Sequence, residues 1–181
     1  ALLQTVARTV LLSRRGTLSE QITRSQRAEA AEPPFANARR PAKRQDVPIP
    51  VPSLDFFNGL GGFADEGREY VTVLGEKLRT PAPWINVIAN PSFGFLVSES
   101  GSGHTWSLNS RENQLTPWSN DPVMDPPGEV IYIRDENTGE VWSPTALPIR
   151  DESATYIVRH GQGYTRFQHG SHGILAELLQ F

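Results

Sequence analysis

Cysteine is missing from all 181 residues. Disulfide staples and thiolate metal sites are therefore excluded, and the redox compartment stays open. Methionine occurs once, as Met124, and the chain begins with Ala1. Translation cannot start at such an N-terminus as written. The alternatives are loss of an initiator Met or excision from a longer protein. Long apolar runs are missing too. None approaches the ~18 residues of a membrane span, so direct membrane insertion is not expected. The first residues also lack the basic, apolar and small-residue order of a secretory signal.

Charge is unevenly placed. Residues 1–45 hold nine Arg and Lys against three Glu, while the remainder holds eight against seventeen. That asymmetry favours a segment cut from a larger protein. The basic residues form no dense block and no aromatics interleave with them, so nucleic acid is not an expected partner. What is abundant is turn-forming residues, 15 Gly and 15 Pro, with 38% hydrophobic and 20% charged residues. This composition suits short elements joined by turns around a real core.

Leu2, Leu3, Val6, Val10 and Leu11 recur at helical spacing, so residues 2–13 read as an amphipathic helix. Arg14, Arg15 and Gly16 suit its C-terminal end. Thr17 with Glu20 three residues on is a capping box for a second helix running to about Ala31, stopped by Pro33 and Pro34. Residues 33–53 read as an extended Pro- and Arg-rich linker. From Leu54 onward short β-favouring runs alternate with turns. They are Leu54–Phe57 before a turn at Asn58-Gly59 and Gly61-Gly62, then Glu69–Leu74, Trp84–Ala89, Phe93–Glu99, His104–Leu108, Glu129–Arg134, Glu140–Ser143, Thr155–Arg159, Tyr164–His169 and Gly173–Leu179. Gly161 and Gly163 are expected in one turn and Gly170 in the next. Two hairpins are expected, one around Gly101-Ser102-Gly103 and one around Gly139. The last run, ILAELLQF, fits strand or helix by pattern. Strands at this spacing indicate an all-β sandwich.

The stretch Asn109–Asp125, NSRENQLTPWSNDPVMD, is polar, turn-rich and carries Trp118 bare in its middle. Loops longer than about 12 residues inside a compact domain are usually functional or disordered, and this one is too complex in sequence for disorder. Two readings stay open. Trp118 can offer its face to the apolar C–H face of a pyranose, with Arg111, Asn113, Gln114, Asn120 and Asp121 supplying planar polar groups for hydroxyls. Alternatively the loop packs on a neighbouring domain and Trp118 is an interdomain anchor. Trp84, Trp106 and Trp142 lie in strand runs and read as core. His104, His160, His169 and His172 show no acid at metal-ligand spacing and read as structural. The pairs Asp121 with Asp125 and Asp135 with Glu136 read as turn acids. Gly59-Leu60-Gly61-Gly62 lacks the Lys and helix start of a phosphate loop.

Longer strings carry a resemblance. FFNGLGGF (56–63), REYV (68–71), TPAPWINVIANPSFGFLVSESGSGHTWSLNSRENQLTPWSNDPV (80–123), YIRDENTGEVWSPTALPIR (132–150) and RHGQGYTRFQHGSHGI (159–174) resemble the β-supersandwich domain of the cellobiose and chitobiose phosphorylase family. The chain looks closer still to the phosphorylase-like half of cyclic β-1,2-glucan synthases, and ALLQTVARTVLLSRRGTLSEQI resembles the helical stretch preceding that sandwich.

The resemblance implies a mainly β fold, an antiparallel β-supersandwich of the galactose mutarotase-like type, preceded by a short helical N-terminal segment. The expected divisions are 1–32 helical, 33–53 linker and 54–181 sandwich, truncated at its C-terminal end. In the family the general-acid Asp and the phosphate site belong to an (α/α)6 barrel that follows the sandwich. This chain alone is therefore expected to carry no catalytic residue, cofactor or metal, whereas the parent is expected to be a glycosyltransferase and glycoside phosphorylase. Implied partners are a glucan oligosaccharide or polysaccharide, the missing barrel, and a second copy meeting an apolar patch where the barrel docks. The implied location is the cytoplasmic side of the bacterial inner membrane, as part of a membrane-anchored parent. A purely structural or oligomerisation domain is the alternative.

Overall fold

The computed structural model describes residues 13–23, 47–121 and 123–181. The chain divides into two compact units, Ala1–Arg40 and Pro41–Phe181. In the first, Ser13–Arg15 form a 3-10 turn, Gly16 takes a φ of 95°, and residues 18–23 are helical. The capping box closes in both directions. The Thr17 amide donates to Glu20 Oε2 at 2.8 Å and the Glu20 amide donates to Thr17 Oγ1 at 3.3 Å. Both bonds satisfy amides that a first helical turn leaves without carbonyl partners. The helix expected over residues 2–13, the later part of the second helix, and Pro33 and Pro34 lie outside the described residues, except for Ser13.

In the second unit the strands are β1 (Gly61–Ala64), β2 (Glu69–Leu74), β3 (Ile85–Ala89), β4 (Phe93–Ser98), β5 (Gly103–Ser107), β6 (Ile133–Arg134), β7 (Val141–Trp142), β8 (Tyr156–Gly161), β9 (Tyr164–Ser171) and β10 (Ile174–Gln180). They form a five-stranded sheet ordered β1-β2-β8-β9-β10, a three-stranded sheet β3-β4-β5 and a ribbon β6-β7. Every pairing is antiparallel. The fold is mainly β, as the turn-punctuated pattern predicts.

Period-2 alternation explains the core. Cross-strand partners share a face, so the register sets Leu74, Tyr156 and His169 side by side across β2, β8 and β9. The Tyr156 and His169 rings stack at 4.0 Å and 10°, and Ala146 and Ala154 complete that cluster with Leu74 and Tyr156. A second cluster lies between the sheets. Val97 and Phe95 of β4 pack against Val158, Phe167 and Leu178 of the larger sheet. Each fully buried aliphatic or aromatic side chain here contributes roughly 1.5–3 kcal/mol.

Two polar side chains pin the sheets together. Asn86 Nδ2 of β3 donates to the Gly161 carbonyl, the Tyr164 carbonyl and Thr165 Oγ1 at 3.0, 2.9 and 3.0 Å. His160 Nε2 meets the Trp84 carbonyl at 3.1 Å, and its Nδ1 meets Thr165 Oγ1 at 3.0 Å. The carbonyl can only accept, so Nε2 carries the proton and Nδ1 accepts from the Thr165 hydroxyl.

Some boundaries differ from the sequence reading. Leu54–Phe57 is not a strand; Asp55 makes a single bridge to Phe63, and Gly61-Gly62, expected in a turn, opens β1. Those glycines are there for lack of room. A Cβ on Gly61 would sit 2.6 Å from the Val71 carbonyl oxygen and 3.0 Å from the Tyr70 ring. Gly170 likewise lies inside β9, because the Val47 carbonyl oxygen would be 2.0 Å from a Cβ there. The turn falls instead at His172 and Gly173, with φ of 55° and 72°. Glu129–Arg134 shrinks to Ile133–Arg134, and ILAELLQF is a strand.

Candidate functional site

The outer face of the three-stranded sheet carries the site. Register places Val87 opposite Leu96 and Leu96 opposite His104, so Ile85, Val87, Leu96, His104 and Trp106 share this face. Ile85 and Val87 are each about half exposed, at 51% and 56%. Trp106 lies flat on Gly94: a Cβ there would be 2.5 Å from Trp106 Cζ2 and 2.8 Å from the Ala89 Cβ.

The stretch 109–125 is folded against this sheet at several points. Leu115 N–H donates to the Thr105 carbonyl at 2.9 Å, Thr105 N–H donates to Thr116 Oγ1 at 2.8 Å, and Gln114 bridges Trp106. The start of the loop therefore adds to the free edge of β5. Both threonine hydroxyls donate to Glu129 Oε1, that of Thr116 at 2.7 Å. Gly128 closes the base, since a Cβ there would be 2.2 Å from the Pro117 carbonyl oxygen and 2.7 Å from that of Gly103. His104, fully buried, holds the middle. Its Nδ1 lies 2.9 Å from the Thr116 carbonyl and its Nε2 3.2 Å from the Ser110 carbonyl. A neutral imidazole donates to only one of the two. Trp118 lies parallel to this ring, with centroids 5.4 Å and planes 14° apart.

Beyond Trp118 the chain turns sharply. Asn120 takes a φ of 49° and Asp125 one of 43°, an uncommon region that Asn and Asp tolerate best. Asp121 Oδ1 accepts the amides of Val123 and Met124 at 2.9 and 3.0 Å. These two bonds hold the Asp121 carboxyl below its ordinary value. Asp125 Oδ2 accepts the Ser98 hydroxyl at 2.6 Å, and the Ser102 hydroxyl donates to the Pro126 carbonyl at 3.2 Å. The far end of the loop is thereby tied to the β4–β5 hairpin.

A cleft of about 170 Å³ results, lined by Ala82, Pro83, Ile85, Leu96, Ser102, residues 118–121, Asp125 and Pro126. Glu99, outside this cleft, is 2% exposed. Glu99 accepts the Thr80 hydroxyl, and the Trp84 amide at 2.7 Å. Burial pushes the Glu99 carboxyl up, its hydrogen bonds partly offset that, and the nearby Asp125 charge adds to it. A second recess of about 300 Å³ adjoins at Asp125 and also holds Arg79, Thr80, Glu99 and Arg150. Glu152 takes up both arginines, at 2.5 Å from Arg79 and 3.4 Å from Arg150.

Of the six residues expected to meet a sugar, Trp118, Asn120 and Asp121 line the cleft together. Arg111, Asn113 and Gln114 lie outside it. The Arg111 side chain is 90% exposed beside Glu112, the Asn113 carbonyl accepts the Ser107 amide at 3.0 Å, and Gln114 sits in its bridge. Pro83, Ile85, Leu96 and Asp125 were not among the expected residues. The alternation of β3 and β4 carries the signal for Ile85 and Leu96, which face the same way. The other histidines have structural partners. His169 Nδ1 meets the Thr155 carbonyl at 3.3 Å. His172 stacks on Trp142 at 4.1 Å, 3.7 Å from Glu140. Trp142 is buried, at 4%, whereas Trp84 and Trp106 are half-buried. Among the described residues no group of three or more His, Asp or Glu is placed to hold a metal ion.

Two antiparallel sheets packed face to face, with long connections gathered over one outer face, make this a β-supersandwich domain. The chain belongs to the family described as glycosyl hydrolase 94, supersandwich domain, whose profile matches residues 68–181. Over 170 residues, 89% of this chain, it is 45% identical to the cyclic beta-(1,2)-glucan synthase NdvB of Rhizobium meliloti (strain 1021), of which it covers 6%. It is 33% identical over 123 residues to the N,N'-diacetylchitobiose phosphorylase of Vibrio furnissii, with 67% of this chain and 15% of the relative covered. It is 31% identical over 129 residues to the solabiose phosphorylase of Paenibacillus borealis, with 65% and 15% covered. The chain thus spans a small part of each of these relatives.

Proposed function

We propose that this domain is a non-catalytic, glycan-facing scaffold of a cyclic β-1,2-glucan synthase-like enzyme. Trp118 carries the reading. Its ring is held against buried His104, it is 44% exposed, and it lines a cleft with Asn120 and Asp121. An aromatic face fixed beside convergent polar groups suits a pyranose, which has an apolar C–H face and a rim of hydroxyls. The name of the glucan synthase relative supplies the sugar, a β-1,2-linked glucan. In this reading the cleft is one half of a site. The other half is a catalytic barrel of the parent protein, which sits on the cytoplasmic side of the bacterial inner membrane. Among the described residues no helix is long and apolar enough to cross a membrane.

A second reading is favoured by the apolar rim. Ile85 and Val87, neighbours on this face of β3, are 51% and 56% exposed, and bare apolar surface commonly becomes an interface. A docked neighbouring domain, or a second copy, then covers the face and the cleft takes no sugar by itself. Retention on immobilised β-1,2-glucan separates the two. The scaffold reading expects retardation that free glucan reverses and that Trp118→Ala abolishes. Equal elution from glucan and blank matrices supports the structural reading instead.

A further inference from the structure

We infer that the cleft beneath Trp118 is selective for uncharged glycans and excludes anionic ones, with Asp125 and Asp121 as the residues that set the selection. The inference rests on the glycan-facing reading above and adds the chemical class of the ligand.

The cleft lining is electrostatically one-sided. Among its described residues it has two carboxylates, Asp121 and Asp125, and no cationic side chain. Neither carboxylate is neutralised by an ion pair among the described residues. Asp125 is bound by one neutral donor, the Ser98 hydroxyl. Asp121 is bound by two backbone amides, which hold its carboxyl below the ordinary value. Arg79 and Arg150 stand in the adjoining recess, where they share the single carboxylate of Glu152, and neither lines the cleft itself. Arg111 lies on the earlier turn, beside Glu112. Each carboxylate keeps a second oxygen that accepts no hydrogen bond among the described residues.

Sugar hydroxyls are donors, and carboxylate oxygens are strong acceptors for them. A neutral glucan therefore gains charge-assisted hydrogen bonds here. A phosphate or carboxylate on the same glycan brings a third negative charge into the cleft. Two like unit charges some 6 Å apart in a half-solvated site repel by enough to weaken binding about tenfold. Added salt screens exposed charges, so the discrimination shrinks as ionic strength rises.

The test compares linear β-1,2-glucan oligomers with the same oligomers after oxidation of their primary hydroxyls to carboxylates. Binding to the chain is followed calorimetrically at low and high salt. The inference predicts that the oxidised oligomers bind at least about tenfold more weakly at low salt, and that the gap narrows with salt. Asp125→Asn and Asp121→Asn, which keep an acceptor for Ser98 and for the 123–124 amides, should each narrow the gap several-fold. Equal or tighter binding of the oxidised oligomers overturns the selectivity while leaving the glycan reading intact. Absence of binding by the neutral oligomers overturns both.

Discussion

The indole of Trp118 lies 14° from parallel with the imidazole of His104, 5.4 Å between centroids. One partner is fully buried and the other is 44% exposed. The arrangement transmits rigidity from the sheet to the loop. His104 is held on β5 and donates to one of two facing loop carbonyls, and Trp118 stacks on His104.

His104→Ala should therefore act on the loop as well as on stability. It removes a fully buried ring and leaves one of the Thr116 and Ser110 carbonyls without its N–H donor. The expected destabilisation is about 2–4 kcal/mol, read as a lower urea midpoint. Trp118 should also become more accessible to a soluble quencher in the folded variant. Unchanged quenching would show that the stack does not hold the loop.

Asn86 offers a sharper test of how the sheets are joined. Its amide faces three acceptors. Asn86→Ala leaves them without that donor, at a cost of about 1–3 kcal/mol. Asn86→Asp should cost more at neutral pH, because a carboxylate then faces acceptor oxygens, and should recover as the new carboxyl is protonated. Chemical denaturation at pH 7 and pH 4.5 measures both. An Asp variant as stable as the Ala variant at pH 7 would contradict the pin.

His160 should make stability depend on pH. Burial, the larger cause, pushes its pKa below the ordinary 6.5, while its bond to the Trp84 carbonyl works the other way. The unfolded chain then binds the His160 proton first as pH drops. Stability is unaffected by this group above about pH 6.5 and falls as pH decreases through that value, levelling once the folded ring is protonated. Glu99 has the opposite sign. Its raised carboxyl takes up a proton in the folded state first, which adds stability as pH falls toward 4.5. In a Glu99→Gln background the loss between pH 7.5 and 5.5 should stand alone, and His160→Gln should flatten it. Equal pH slopes with and without His160 would refute this assignment.

The sandwich was legible because its strands announce themselves. EYVTVL alternates, is flanked by turn residues, and forms β2 over the residues expected, Glu69–Leu74. β1 was illegible for a steric reason. Gly61 and Gly62 look like a turn, yet they are glycine because Tyr70, Val71 and Asp55 approach too closely for a side chain. The site was half legible. Composition marked the tryptophan and its polar neighbours. It could not show that Gln114 bridges Trp106 while Arg111 and Asn113 lie outside the cleft, or that Pro83 and Asp125 line it. Those facts depend on contacts distant in sequence, such as Ser98 with Asp125 and His104 with Thr116.

The central claim is that Trp118 is a glycan contact. The most direct measurement is titration of the chain with linear β-1,2-glucan, following tryptophan fluorescence, beside Trp118→Ala and Trp118→Phe. The account predicts a saturable change in the wild type at sugar concentrations up to millimolar. Trp118→Phe should retain weakened binding by calorimetry, and Trp118→Ala should show none. A wild type silent to millimolar glucan, or a Trp118→Ala variant that binds as tightly as the wild type, would contradict it.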